Sequence, residues 1–282
     1  MDMDGFDQLA DLALSRSGQA LRRAQVYLIE ARLSHILRRE NFSTLAELAD
    51  CLKARPNPAF EEEIVAAMAD KKTSFFHERD SLRYIVDSAI PEILKRQDKL
   101  GERYPVQIIC AGGGTGQEAY SLAMLLDEST NDELRQRDIE ITSVDMCKAS
   151  SQRARDGIYG HYEIQMGMSV HRMMKYFERN DNAWQISTDL RDKVTFEIAN
   201  LMEPLDGLGS ADIIVCRNVL PNMTAAMAAG LAQRLGGMLA KDGLLFLGEG
   251  SLSPGSGFQQ PPHAPNGAWF YDPSLVAETA AA

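Results

Sequence analysis

Residues 110 to 118 read CAGGGTGQE, a glycine run between the apolar segment VQIICA (106–111) and the helix-forming segment QEAYSLAMLLDE (117–128). Glycines let a backbone turn sharply and approach a ligand closely, and the helix that follows offers its N-terminus to negative or polar groups. Gly112, Gly114 and Gly116 match a dinucleotide fingerprint only loosely, because the third glycine of GxGxxG would fall at Gln117 or Ala119. Asp145 closes the next strand candidate, EITSVD (140–145), where a carboxylate can accept hydrogen bonds from both hydroxyls of a ribose. It lies 29 positions beyond Gly116, more than the roughly 20 expected of a nicotinamide dinucleotide site. Without a second strand-end signal, the loop alone also fits a tight strand-to-helix turn that holds no ligand. An adenosine cofactor lacking a pyrophosphate fits the pair better. S-adenosylmethionine (SAM) is the obvious candidate, with its amino-acid end at the glycines and its ribose on Asp145.

Such a corner needs alternating strands and helices to carry it, and from Pro105 onward the chain provides them. After the glycine loop come a second helix candidate, CKASSQRARDG, then the strand candidates KVTFEIAN, ADIIVC and GLLFLG, with AAMAAGLAQRLGGML helical before the last. That order predicts an α/β domain on a largely parallel sheet. Residues 161 to 193 interrupt the order with a polar stretch of poor periodicity, which reads as an inserted subdomain. The Gly-, Pro- and Gln-rich tail after Pro254 is expected to wrap the surface. Residues 1 to about 95 show helical spacing instead. In the segment 26–39, Val26, Ile29, Leu33 and Ile36 make one apolar stripe, and Arg32, His35 and Arg39 follow the same spacing on another face. Between residues 17 and 46, Arg22, Arg23, Arg32, Arg38 and Arg39 face only Glu30 and Glu40, a local charge of +3. This is either a solvated helix face or a docking surface for an acidic partner.

The whole chain of 282 residues is acidic, with 29 Lys+Arg against 40 Asp+Glu and a net charge of -11. A nucleic-acid partner, which needs a basic face, is therefore not expected. Hydrophobic residues at 45% supply a real core and exclude wholesale disorder. The N-terminus, MDMDGFDQLADLAL, lacks the basic start and apolar stretch of a signal peptide, and no run approaches the ~20 apolar residues of a membrane helix. Cys51, Cys110, Cys147 and Cys216 are scattered, with no ligand spacing. A cytoplasmic protein with buried free thiols and no metal is expected.

The segments KKTSFFHERD, CAGGGTGQEAYSLAMLL, SVDMCKASSQRARDGIYG, VTFEIANLM, DIIVCRNVL and DGLLFLGEGSLSP occur in that order over nearly the whole chain. Together they resemble the CheR-type chemoreceptor methyltransferases, and the N-terminal RLSHILRR stretch resembles that family's small helical domain. The resemblance implies an α/β fold: a helical N-terminal domain, then a Rossmann-like SAM-dependent methyltransferase domain carrying an inserted small β-subdomain. The expected division is 1–80 for the helical, receptor-docking domain, 81–95 for a linker helix, and 96–282 for the SAM domain with its insert at about 161–197. The implied activity is methyl transfer from SAM to glutamate side chains on chemoreceptor helices.

By motif, the resemblance assigns cofactor contacts to Lys71, Thr73, His77, Gly112, Gly114, Glu118, Asp145, Asn200, Leu201, Arg217 and Asn218. It places His77 and Asn222 near the reacting groups and assigns receptor docking to Arg32, His35, Arg38 and Arg39. Lys71, His77 and Asn222 stand where the family has Asn, Arg and Tyr. A second reading therefore stays beside the enzyme: a family member that binds SAM or receptors as a regulator with little transfer. A nicotinamide dehydrogenase is disfavoured by the glycine spacing and by CRNVL.

Overall fold

A computed structural model describes residues 3–69, 73–248, 255, 257–262 and 264–272. The first of its parts is a four-helix unit: α1 (Met3–Ser17), α2 (Val26–Glu40), α3 (Leu45–Ala54) and α4 (Pro58–Met68). The stripe Val26, Ile29, Leu33 and Ile36 is buried and meets Phe6, Leu9, Leu45, Leu48 and Ile64. At the α1–α3 crossing the backbones nearly touch: a Cβ on Gly5 would sit 2.2 Å from the Ala46 nitrogen. Local chemistry sets the ends. Thr44 and Asn57 accept from the nitrogens of Glu47 and Phe60 to cap α3 and α4, and Asn41 takes the left-handed conformation that closes α2.

Residues 79–100 are helical throughout, as α5 (Arg79–Tyr84), one π turn at 85–89, and α6 (Ile90–Leu100). Pro91 has no N–H to give the carbonyl of Asp87, and the ladder slips there so that Ile90 N donates to the Ile85 carbonyl.

The second part is built on a seven-stranded sheet. Its elements in chain order are β1 (Val106–Ala111), α7 (Gln117–Glu128), α8 (Asp132–Arg135), β2 (Ile139–Asp145), α9 (Lys148–Asp156), the insert, β6 (Val194–Ile198), β7 (Ala211–Val215), α13 (Ala225–Met238), β8 (Leu239–Phe246), β9 (Phe258–Gln259) and β10 (Ala268–Tyr271). The strand order is β6-β2-β1-β7-β8-β10-β9, parallel from β6 to β8. From β1 the chain winds outward to β2 and β6, then returns to the other side of β1 as β7. The switch point lies between β1 and β7, where open α/β sheets bind ligands at the carboxyl ends of the strands.

The tail after Pro254 does more than wrap the surface. β10 pairs antiparallel with β8, and β9 with β10, so the tail completes the sheet. The run AWFY is rich in strand-forming aromatics, and Tyr271 packs on Phe258 at 4.8 Å between ring centres. The thiols divide too: Cys110 and Cys216 are buried, whereas Cys51 and Cys147 are partly exposed.

The insert comprises β3 (Ile158–Gly160), α10 (His161–Gln165), α11 (Val170–Tyr176), β4 (Phe177–Asn180), β5 (Ala183–Ile186) and α12 (Thr188–Arg191), with a small antiparallel sheet β3-β5-β4. It docks on the end of α7 by charge. Arg172 forks onto Glu128 while lying 4.0 Å over the Phe76 ring, and Asp127 accepts from Lys175, Lys193 and the Tyr176 hydroxyl. Burial works against the Asp127 charge, but the two lysines and the tyrosine outweigh it and hold its pKa at about 2. A depressed carboxylate pKa stabilises the fold above the unfolded value near 3.8 and ceases to do so below the folded one. Asp127→Asn is therefore expected to cost ~1 kcal/mol after solvent screening. Urea unfolding should show a constant penalty from neutral pH down to about 4, shrinking between pH 4 and 2.

Candidate active site

The glycine loop closes the carboxyl end of β1 by folding back on β2. Gly112 and Gly113 both donate their N–H to the Val144 carbonyl, at 2.8 and 3.0 Å. There is no room for side chains here: a Cβ on Gly113 would lie 2.0 Å from Ser143 Oγ, and one on Gly112 (φ 76) 2.5 Å from Val219. The backbone itself thus forms the cavity floor. Asp145, at the end of β2, is aimed by two backbone donors, Gly114 N to Oδ2 at 2.9 Å and Cys147 N to Oδ1 at 2.8 Å. One backbone donor on each oxygen fixes the orientation of the carboxylate.

Glu118 stands in the first turn of α7, where the helix end favours an acid. Its partner comes from the turn just after β7. Arg217, only 6% exposed, donates Nε to Glu118 Oε2 and Nη1 to the His77 carbonyl at 2.7 Å, with Glu78 Oε2 at 3.4 Å. Burial alone would lower the Arg217 pKa, but Glu118 and behind it Glu78 outweigh burial and raise it. The same region suppresses thiol chemistry, since burial first and then the Glu118 charge push Cys110 and Cys216 above the ordinary thiol range.

Beyond Arg217 the chain turns through Asn218 in the left-handed region (φ 60), and Asn222 Nδ2 donates to the Asn218 carbonyl at 2.8 Å. Asn200 donates Nδ2 to the Arg16 carbonyl at 2.7 Å, tying the loop after β6 to the end of α1.

One cavity is lined by Thr73, Gly112, Gly114, Glu118, Asp145, Asn200, Leu201, Arg217, Asn218 and Asn222. Lys71 lies outside the described residues. His77 does not join the lining: its side chain is 47% exposed, with Nδ1 3.8 Å from Glu78. Left-handed backbone at Phe76 and Glu78 brackets it, and residue 77 contributes a carbonyl to Arg217 instead. The cavity also takes Ser17, Gln19, Ala66 and Ala69 from the helical domain and Met146 and Cys147 from the loop after Asp145. No motif marks the four residues from the helical domain, because their place depends on how that domain seats.

The family model for the CheR methyltransferase SAM-binding domain matches residues 71–256, and that for the CheR methyltransferase all-alpha domain matches residues 4–69. The chain belongs to the CheR methyltransferase family. Chemotaxis protein methyltransferase Cher2 of Pseudomonas putida is 28% identical over 246 residues, covering 86% of this chain and 88% of that protein. Chemotaxis protein methyltransferase 1 of Pseudomonas aeruginosa is 28% identical, covering 82% and 84% respectively. Chemotaxis protein methyltransferase of Vibrio parahaemolyticus is 27% identical, covering 83% and 84%. The cofactor of this CheR protein is SAM, and the site suits it. The floor is side-chain-free, with a carboxylate oriented by two backbone donors at Asp145 and a second acid at Glu118.

The basic face of α2 is narrower than a count along the chain suggests. Arg39 forks onto Glu63 of α4 at 2.6 and 2.9 Å and also meets Glu40, while Arg23 pairs with Asp7 of α1. Arg32 donates to the Met68 carbonyl. Acids contributed by neighbouring helices are invisible to a window of sequence. Arg38 and His35 remain exposed, with Arg38 Nε on the Ser34 carbonyl and His35 Nδ1 3.1 Å from the Arg32 carbonyl.

Proposed function

We propose that the chain transfers the methyl group of SAM to glutamate side chains on chemoreceptor helices, as a protein-glutamate O-methyltransferase. The observation that carries the reading is the cavity's charge. Its lining holds two acids aimed by the backbone or by Arg217, and its described cation, Arg217, is already committed to Glu118 and Glu78. Bound SAM supplies an electrophilic methyl on a sulfonium. A glutamate with a pKa near 4.3 arrives ionised at pH 7, so displacement at carbon needs no general base.

The chain's own residues then have three tasks. Asp145, Glu118 and the glycine floor fix the cofactor's position. The Asn218–Asn222 turn frames the edge where the acceptor enters, with Asn222 holding that turn through the Asn218 carbonyl. The apolar residues Leu201, Val219 and Met223 exclude water from the lining, which strengthens alignment of carboxylate, methyl and sulfur. An unpaired cation there would stabilise the ground-state carboxylate and slow transfer, and the lining's committed arginine avoids that.

Residues 1–80 present the exposed Arg38 and His35 of α2 to an acidic receptor helix, residues 81–95 join the parts, and 96–282 hold the cofactor. The protein acts from the cytoplasm. Among the described residues no helix is long and apolar enough to cross a membrane. Incubation with SAM carrying a tritiated methyl group and a receptor cytoplasmic fragment should give protein-bound label released by mild base, as a methyl ester is. Strong SAM binding without base-labile label would instead support the regulatory alternative.

A further inference from the structure

Arg217 is shared between two acids, and the two differ in place: Glu118 lines the cavity and Glu78 does not. Glu78 lies behind the arginine at the start of α5, with its side chain 11% exposed and its backbone in the left-handed region (φ 47). A guanidinium facing a single carboxylate often forks, covering both oxygens with two N–H groups. Here the fork is divided. Nε goes to Glu118 Oε2, while Nη1 turns to the His77 carbonyl at 2.7 Å and to Glu78 Oε2 at 3.4 Å. Gly248 packs against the pair, since a Cβ there would lie 3.2 Å from Glu78 Oε1 and 3.4 Å from Arg217 Cγ. The buried Cys110 thiol, which hydrogen-bonds Glu118, is held in its neutral form by burial and by that acid. The His77 imidazole is half-exposed, so solvent screens it. Two carboxylates around one guanidinium therefore leave one negative charge uncompensated, and Glu118 carries it to the cavity.

A lone Arg217–Glu118 pair would be neutral and would attract a cation weakly. Sharing the arginine restores the attraction. With the amino-acid end of SAM at the glycine loop, Glu118, in the first turn of the helix that follows, meets its ammonium. We infer that Glu78 is a positioning residue for the cofactor: by drawing off half of the Arg217 fork, it leaves Glu118 the charge that holds the ammonium. Glu78 touches no ligand and acts through the arginine. The inference rests on SAM being the cofactor, bound with its ammonium on Glu118. Its consequence is that the turn at 76–78 sets cofactor affinity by charge from outside the lining.

Calorimetry on the full chain tests it with two probes, S-adenosylhomocysteine and its deamino counterpart, which keeps the nucleoside, sulfur and carboxylate and lacks only the ammonium. The unmodified protein should prefer the first. Glu78→Gln keeps the shape and an acceptor for Nη1 but removes the charge. It should weaken S-adenosylhomocysteine about tenfold and leave the deamino probe unchanged or tighter, so that the preference collapses. Glu78→Asn, a residue at ease in the left-handed region, is a second uncharged variant for the same ratio should the first fold poorly. Glu78→Asp keeps the charge and should retain most of the preference. In a Glu118→Gln background, Glu78→Gln should have no further effect on the ratio, because its route is through that acid. The inference is overturned if the uncharged variants weaken both probes equally or neither, as a purely structural role would. It is also overturned if Glu78→Asp loses the preference as fully as Glu78→Gln, or if Glu78→Gln still shifts the ratio without Glu118. An unmodified protein that binds both probes alike removes the ammonium from Glu118 and the inference with it, while SAM stands as cofactor. If it binds neither probe, the cofactor assignment itself falls first.

Discussion

Replacing Arg217 with methionine is expected to destabilise the protein by about 3–5 kcal/mol, the cost of leaving buried charges without their counter-charge. Methionine restores much of the volume, so the loss is electrostatic. The Glu118 carboxylate loses its Nε donor, the His77 carbonyl loses its Nη1 donor, and Glu78, with a side chain 11% exposed, loses its neighbouring cation. Arg217→Lys should lose less, since an ammonium keeps the charge but cannot fork across Glu118 and the 77–78 turn. Chemical denaturation reads the effect as a shift in midpoint at constant m. The double variant Arg217→Met with Glu118→Gln should recover part of the loss, because the carboxylate left stranded is then neutral. A penalty within ~0.5 kcal/mol, the level of an ordinary surface substitution, would show that the cluster does not hold β7, α7 and the 73–78 segment together.

Much of this arrangement is legible in the amino-acid sequence. The glycine loop and Asp145 announce themselves because a strand, a turn and a helix are each encoded locally, and a ligand-binding loop sits where two periodicities meet. The α2 stripe is legible for the same reason. What escapes is whatever depends on two distant segments meeting. His77 reads as a site residue from its motif, yet the turn formed by Phe76 and Glu78 leaves its side chain half-exposed and offers its carbonyl instead. The basic count over residues 17–46 overlooks Glu63 and Asp7, which arrive from other helices. Gln19 carries no local mark, because only the seating of α1's end against Asn200 and Asn222 brings it to the cavity. The tail's Gly and Pro content masks the four-residue strand AWFY, whose pairing with β8 comes from a distant part of the chain.

Asp145→Asn is expected to weaken S-adenosylhomocysteine binding by at least ~100-fold, although the substitution changes one oxygen for a nitrogen. In the native site both carboxylate oxygens face N–H groups, Oδ2 toward Gly114 and Oδ1 toward Cys147. An asparagine can keep only one of these bonds, and its NH₂ must then confront a backbone donor. The Gly114 end of the floor or the Cys147 turn loosens accordingly. With the ribose placed on Asp145 as proposed, its hydroxyls lose a charged acceptor at the same time. Hydrogen bonds to a charged group are worth roughly 1.5–3 kcal/mol each, so losing two amounts to about two decades of affinity or more. Because a ligand stabilises the folded state in proportion to ln(1 + [L]/Kd), the loss is also visible without activity. Saturating S-adenosylhomocysteine should raise the melting temperature of the native protein and leave that of Asp145→Asn nearly unmoved. Asp145→Glu discriminates geometry from charge. It restores the anion but extends it by one methylene, so it should regain little affinity if the two backbone bonds are what aim the carboxylate, and most of it if charge alone suffices. A ligand-induced shift in Asp145→Asn equal to that of the native protein would remove Asp145 from the ribose site.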